Sequence, residues 1–141
     1  VLTIRTLDIG NDKNIESFDK LIAPSPNPAL GLRAIRLTLA FPKIFIKQIT
    51  AILKASLYGP LRIMLPMVSN VNELNEAKDI INKVYNDLKE KGIKVPRKVP
   101  PIGVLIETPA AALTADSLAE RCDFLAIGTN DLTMYTLYIS S

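Results

Sequence analysis

The sequence predicts an α/β fold in which parallel strands alternate with helices, and three observations lead there. Four short, mostly apolar runs recur along the chain, amphipathic helical patterns lie between them, and none of the runs alternates strictly. Runs of that kind are expected of strands covered on both faces. The order strand, helices, strand, helix, strand, helix, strand, helix winds βα units into one parallel sheet. A doubly wound sheet and a piece of a (β/α)8 barrel both satisfy it. A barrel takes about 250 residues, so four units in 141 residues would form about half of one. The start without methionine and the end just after a helix favour such a segment, a partial (β/α)8 barrel spanning residues 1–141.

The first run, Val1 to Arg5, is the first strand. Leu7 to Asn27 follows with little periodicity, a length that marks a functional loop or disorder. Ala29 to Ala40 reads as a short helix and Pro42 to about Leu57 as a longer one. In the latter, Phe45, Ile49, Ile52 and Leu53 stand at helical spacing and proline is acceptable in the first turn. Leu61 to Leu65 is the second strand. The clearest helix spans Val71 to about Lys91: Val71, Leu74, Ala77, Ile81, Val84, Tyr85 and Leu88 form one stripe. Asn70 and Glu73 stand in a capping-box relation at its start, and Gly92 stops it. Ile102 to Ile106 is the third strand. Thr108 then caps a helix that has Pro109 in first position and runs to about Arg121. Phe124 to Ile127 is the fourth strand, after which Thr129 or Asn130 caps a last helix reaching Tyr138.

Composition narrows the chemistry. Hydrophobic residues make up 48% and charged residues 22%, which excludes disordered and fibrous classes. No apolar run approaches the roughly 20 residues that cross a bilayer, and no signal for export is present. A single cysteine, Cys122, excludes an internal disulfide. The absence of histidine removes Cys/His zinc sites and Ser-His-Asp triads within this chain. The net charge of +3 suits an anionic small molecule as well as a nucleic acid. The densest basic stretch, Lys89 to Lys98, mixes in Glu90, Gly92 and Pro96 and has no aromatic on which a base could stack, so it reads as a solvated helix end and loop.

Functional residues of βα folds gather at the C-terminal ends of strands. The first strand ends in Arg5, Asp8, Asn11, Asp12 and Lys13, the third in Glu107 and Thr108, and the fourth in Gly128, Thr129, Asn130 and Asp131. Glu107 and Asp131 close consecutive strands, and neighbouring strands lie about 5 Å apart, so both carboxylates could reach one cation. Mg²⁺ suits them, because it takes one or two carboxylates and fills its octahedron with water and phosphate oxygens. On spacing alone the alternative stands equally: carboxylates near helix N-termini gain from the helix dipole without any function. Asn130 is better explained on its own as an N-cap than as a ligand contact. A guanidinium at a strand mouth, such as Arg5, must pair with a carboxylate like Asp8 or with an incoming anion. Arg33 and Arg36, three apart on one helical face, pair with neighbouring acids or bind an anion. Cys122 reads as an inert packing thiol, and Met64 and Met67 read as core or rim packing.

The segments IRTLDIGNDK (Ile4 to Lys13), NPALGLRAIR (Asn27 to Arg36), LRIMLPMVSNVNE (Leu61 to Glu73), VLIETPAAAL (Val104 to Leu113) and FLAIGTNDLTMYTL (Phe124 to Leu137) together resemble one family in order over nearly the whole chain. That family is the phosphoenolpyruvate-protein phosphotransferases, Enzyme I of the bacterial sugar phosphotransferase system. Pyruvate phosphate dikinase and phosphoenolpyruvate synthase share the ETPAAA-like and GTNDLT patterns, whereas RTLDIG and NPALGLRAIR look more like Enzyme I. The resemblance implies a cytoplasmic, dimeric enzyme whose C-terminal barrel binds phosphoenolpyruvate and Mg²⁺. Its phosphoryl group passes to a histidine on another domain and then to a histidine-containing phosphocarrier protein, and pyruvate is released. By matching motifs, Glu107 and Asp131 would hold the metal, Arg5 and Arg33 the substrate's phosphate, and Asn130 would contact substrate beside the metal. Asp8 and Lys13 would support the same mouth. The family's Asp-Arg pair after GTNDLTMYTL is replaced by Tyr138, Ile139, Ser140 and Ser141. Its proton-donating cysteine lies in a later strand, so no catalytic residue is expected in this stretch and the chain alone is expected to turn over little. The other class to weigh is a non-catalytic remnant acting as a binding module. Neither nucleic acid nor membrane insertion is expected.

Overall fold

A computed structural model describes residues 1–9 and 26–140. The expectations placed on Asn11, Asp12 and Lys13, and on most of the Leu7 to Asn27 stretch, lie outside the described residues. Four strands form one parallel sheet: β1 (Leu2–Arg5), β2 (Leu61–Leu65), β3 (Ile102–Ile106) and β4 (Phe124–Ile127). Their spatial order is β1-β2-β3-β4, the order of the chain. A doubly wound sheet reverses direction at a switch point, whereas consecutive barrel strands follow one another around the ring. The unreversed order therefore separates the two folds left open by the sequence, and four βα units of a partial barrel are what is present.

Helices α1 (Ala34–Ala40), α2 (Pro42–Ala55) and α3 (Val71–Glu90) follow β1 and β2. Phe45, Ile49, Ile52 and Leu53 of α2 and Leu74, Ala77, Ile81, Val84 and Leu88 of α3 bury the apolar stripes read from the sequence. They pack against Leu61, Ile63, Leu65, Ile102, Val104 and Ile106 of the sheet. Asn70 caps α3 by accepting from the Glu73 N–H at 2.9 Å. The Glu73 carboxylate reaches back to the Ser69 N–H at 2.7 Å, one residue beyond the partner that the capping box prescribes.

Only β3 is buried along its whole length; β2 and β4 alternate. The difference from the expected two-faced burial has a plain cause. Residues 61, 63 and 65 face the helices, while Arg62 and Met64 face the concave side, level with Thr3 and Arg5 on β1 and with Gly103 on β3. On that side Arg62 Nε donates to Thr3 Oγ1 at 2.8 Å, and its guanidinium lies 4.3 Å from the centre of the Phe124 ring. The same ring covers Gly103, where a Cβ would come within 2.4 Å of it.

Three helix boundaries depart from the sequence reading. The segment from Ala29 to Ala40 is a 3-10 turn (Pro28–Leu30) followed by α1, because Arg33 is extended and Ala34 has φ +48°. The helix opened by Thr108 and Pro109 breaks into α4 (Pro109–Leu113) and α5 (Ala115–Ala119). At the break the Thr114 hydroxyl donates to the Ala110 carbonyl at 2.8 Å, a back-bond that bends helices. The last helix, α6 (Thr129–Leu137), has Gly128 at its N-cap in place of Thr129 or Asn130, and the left-handed Tyr138 ends it.

Candidate functional site

The site forms where β1, β3 and β4 end, and Asp8 stands at its centre. Three residues past β1, its side chain is only 3% exposed and accepts from Arg33 Nε at 3.0 Å and Nη2 at 3.4 Å. Arg5 Nη1 lies 3.3 Å from Asp8 Oδ2, with the Arg5 side chain half exposed at the rim. Arg33 is buried, and its terminal nitrogens also reach Asp131 on the first turn of α6, Nη1 to Oδ1 at 3.1 Å and Nη2 to Oδ2 at 3.4 Å. One guanidinium thus joins the segment after β1 to the first turn after β4, with Arg33 and Asp131 98 residues apart in the chain.

Glu107 continues β3 into the same mouth and is 2% exposed. Its Oε1 accepts from the Met67 N–H at 2.9 Å, and Met67 itself sits at φ +57° in the turn after β2. Burial pushes the Glu107 carboxyl from its ordinary 4.5 up to about 7. The Met67 hydrogen bond opposes this, the negative charges of Asp8 and Asp131 add to it, and Arg5 opposes it. The Gly128 N–H closes the β3–β4 junction by donating to the Ile106 carbonyl at 2.8 Å. A Cβ at Gly128 would lie 2.6 Å from Glu107 Oε2 and 2.9 Å from Glu107 Cβ, so glycine here is a packing requirement of the carboxylate.

Of the residues singled out in the sequence, the fold therefore brings Arg5, Arg33, Glu107 and Asp131 into one charged cluster around Asp8. Asn130 is exposed on the first turn of α6 and enters none of these bonds. Arg33 and Arg36 do not share a helical face as expected: Arg33 precedes α1 in extended backbone, and Ala34 turns the chain. Arg36 points instead to Glu73 on α3, Nε to Oε1 at 2.9 Å. Cys122 is half-buried, donates from Sγ to the Phe124 carbonyl, and has its thiol pushed up by burial, as a packing thiol should.

Sequence reasoning missed three participants. The Met67 N–H has no sequence signal, since any residue carries one. Ser69 Oγ shares a hydrogen bond with Thr108 Oγ1 at 3.2 Å, and the Tyr135 hydroxyl donates to the Ala29 carbonyl. Both lie around a cavity of about 300 Å³ beside Arg33, walled further by Gly31, Arg36 and Met67. Tyr135 was detectable, one turn beyond Asp131 on the same helix.

Among the described residues no three His, Cys, Asp or Glu side chains gather as a metal cage. Glu107 and Asp131 are two hard oxygen donors at adjacent strand ends. The negative charges of Asp8 and Asp131 disfavour the ionised form of Glu107, a repulsion that a cation would relieve. Mg²⁺ takes one or two carboxylates and completes its octahedron from water and phosphate oxygens, so this donor set fits it.

Four parallel strands in chain order, with three carboxylates and two guanidiniums gathered at their C-terminal mouth, define a partial-barrel domain whose charged site lies where barrel proteins carry theirs. The chain belongs to the PEP-binding domain family of the PEP-utilising enzymes, whose model matches residues 1–141. Among its relatives, the phosphoenolpyruvate-protein phosphotransferases of Listeria monocytogenes and Staphylococcus epidermidis are each 45% identical over 136 residues. That of Staphylococcus aureus is 46% identical over the same length. These matches cover 96% of this chain and 23% of each relative, so the chain spans about a quarter of the length of the curated relatives it matches.

Proposed function

We propose that this chain forms the central part of the phosphoenolpyruvate-binding barrel of a phosphoenolpyruvate-protein phosphotransferase. In that reading the whole enzyme, a cytoplasmic homodimer, passes the phosphoryl group to its own histidine outside this chain. A histidine-containing phosphocarrier protein then takes it for sugar uptake, and pyruvate leaves. The observation that carries the reading is the convergence of Glu107 and Asp131 with Arg5 and Arg33 at the C-terminal mouth of the sheet. The 45–46% identity to phosphotransferases favours them over a dikinase or a synthase as the parent enzyme.

Each residue has a physical role. Arg33 presents a buried, nearly planar fork and Arg5 a second guanidinium at the rim, a pairing suited to phosphate oxygens. Glu107 and Asp131 would hold Mg²⁺, which when bound neutralises phosphate charge as it spreads during phosphoryl transfer. Asn130, exposed beside Asp131, would donate its side-chain amide to substrate. The protein's share of the work is positioning and fixed charge, which is most of what a loose transition state requires. No membrane-spanning element enters this account: among the described residues no helix is long and apolar enough to cross a bilayer.

Calorimetric titration of phosphoenolpyruvate, with and without Mg²⁺, tests the reading. Binding that depends on Mg²⁺ and disappears in Asp131→Ala is expected. Absence of binding to the folded wild-type protein, or equal binding by the variant, would refute the assigned roles.

A further inference from the structure

The Asp8 carboxylate grips one edge of Arg33, the edge made by Nε and Nη2, and also pairs with Arg5. The neighbouring edge of the same guanidinium, Nη1 and Nη2, faces Asp131, with Nη2 shared between the two carboxylates. A guanidinium has two such edges, each able to meet two oxygens side by side. The two are not alike here. Asp8 is enclosed, at 3% side-chain exposure, whereas Asp131 is at 21% and opens to the mouth. Asp131 is also the carboxylate that a cation would claim.

We infer that Asp8 is a positioning residue: it holds the Nε edge of Arg33 in place whether or not the site is loaded. The Nη edge then exchanges Asp131 for the phosphate oxygens of the ligand. Arg33 thereby serves as the counter-ion of Asp131 in the empty site and as the phosphate fork in the loaded one, and its side chain need not find a new anchor between them. Asp8 also meets Arg5 at the rim, through a single terminal nitrogen. This inference rests on the proposed binding of phosphoenolpyruvate with Mg²⁺ and adds a residue that touches neither.

The sign of the effect separates positioning from mere charge. A carboxylate near an anion site repels the anion, so if Asp8 acted only through its charge, its neutralisation would tighten binding of phosphoenolpyruvate. If Asp8 aims Arg33, its neutralisation loosens binding, because a rotamer-rich side chain must then be ordered on each encounter.

The test measures the dissociation constant of phosphoenolpyruvate at saturating Mg²⁺ for wild type, Asp8→Asn, Arg33→Lys and the double variant, with folding checked by circular dichroism. Asp8→Asn is expected to bind about tenfold more weakly, and most of that loss is expected to vanish in the Arg33→Lys background. A structural defect without coupling would give additive losses and would overturn the inference, as would unchanged or tighter binding by Asp8→Asn. Should Asp8→Asn not fold, nitrogen NMR on the wild-type protein decides. The Arg33 Nε–H is expected to stay protected from exchange when Mg²⁺ and phosphoenolpyruvate are added while its Nη signals shift; loss of Nε protection would overturn the inference. Absence of binding by wild type would instead sink the functional reading itself, so the two failures are distinct.

Discussion

Burial of Glu107 at the end of β3 has a consequence for pH. With its carboxyl raised from 4.5 to about 7, chiefly by desolvation, the ligand-free protein favours the protonated form over this whole interval. For an acid shifted upward, the stabilisation is complete below the unfolded value of 4.5 and is lost as pH rises through about 7. A cation reverses the preference, because it binds the carboxylate and displaces the proton. Affinity for Mg²⁺ is therefore expected to weaken about tenfold for each unit of pH below 7 and to level off above it. Proton release on Mg²⁺ binding, read by calorimetry in buffers of different ionisation enthalpy, checks this; a flat profile from pH 5 to 8 would contradict it. Replacement by Gln would remove the profile together with the charge.

At the scale of elements, legibility followed how local each cause is. All four strands appear where apolar runs are bounded by polar or turn residues, with only Val1 falling outside β1. Helix α3 carries its own instructions in the Leu74 to Leu88 stripe and the Asn70 cap. Its stability should answer to that cap: Asn70→Ala is expected to cost about 1 kcal/mol. Urea unfolding monitored by circular dichroism would measure it, and a change within a few tenths would mean that Glu73, bonded to Ser69 and Arg36, holds the helix start without Asn70. The misread boundaries have tertiary or competing causes. Position 128, the N-cap of α6, has no room for a side chain because Glu107 fills that space, and no window of sequence around Gly128 contains Glu107. Thr114 breaks a helix by bonding back to Ala110, although threonine in a helical pattern often does no such thing. The site was legible for the same reason as the strands: polar residues directly after an apolar run fall at the mouth. Helical spacing alone could not separate Arg33 from Arg36, which the resemblance did by naming Arg33; in the fold Arg33 turns inward and Arg36 outward because Ala34 takes a left-handed backbone.

The molecule divides its tasks between the two faces and the end of one sheet. Leu61, Ile63 and Leu65 face helices α2 and α3 and supply the core, while Arg62, Met64 and Gly103 face the concave side, and the charged cluster sits where the strands finish. Stability and ligand binding should then respond to different substitutions on neighbouring strands. Ile63, fully enclosed between β1, β3 and the helices, is expected to cost about 2–5 kcal/mol on replacement by alanine. If the variant remains folded under the assay conditions, its affinity for phosphoenolpyruvate should stay close to wild type, since its side chain points away from the mouth. Arg5→Gln is the converse case. The Arg5 side chain is 45% exposed and its bond to Asp8 lies at the rim, so its loss should change unfolding free energy by about 0–1 kcal/mol. Yet in the proposed site it would remove a guanidinium from the phosphate, a charge-assisted bond worth about 1.5–3 kcal/mol, and should weaken binding by roughly ten- to a hundredfold. Urea denaturation and phosphoenolpyruvate titration on the same two variants give a crossed pair of outcomes. A parallel pair, in which each substitution lowers both quantities together, would mean that the mouth and the core form one cooperative unit and that the faces do not act separately.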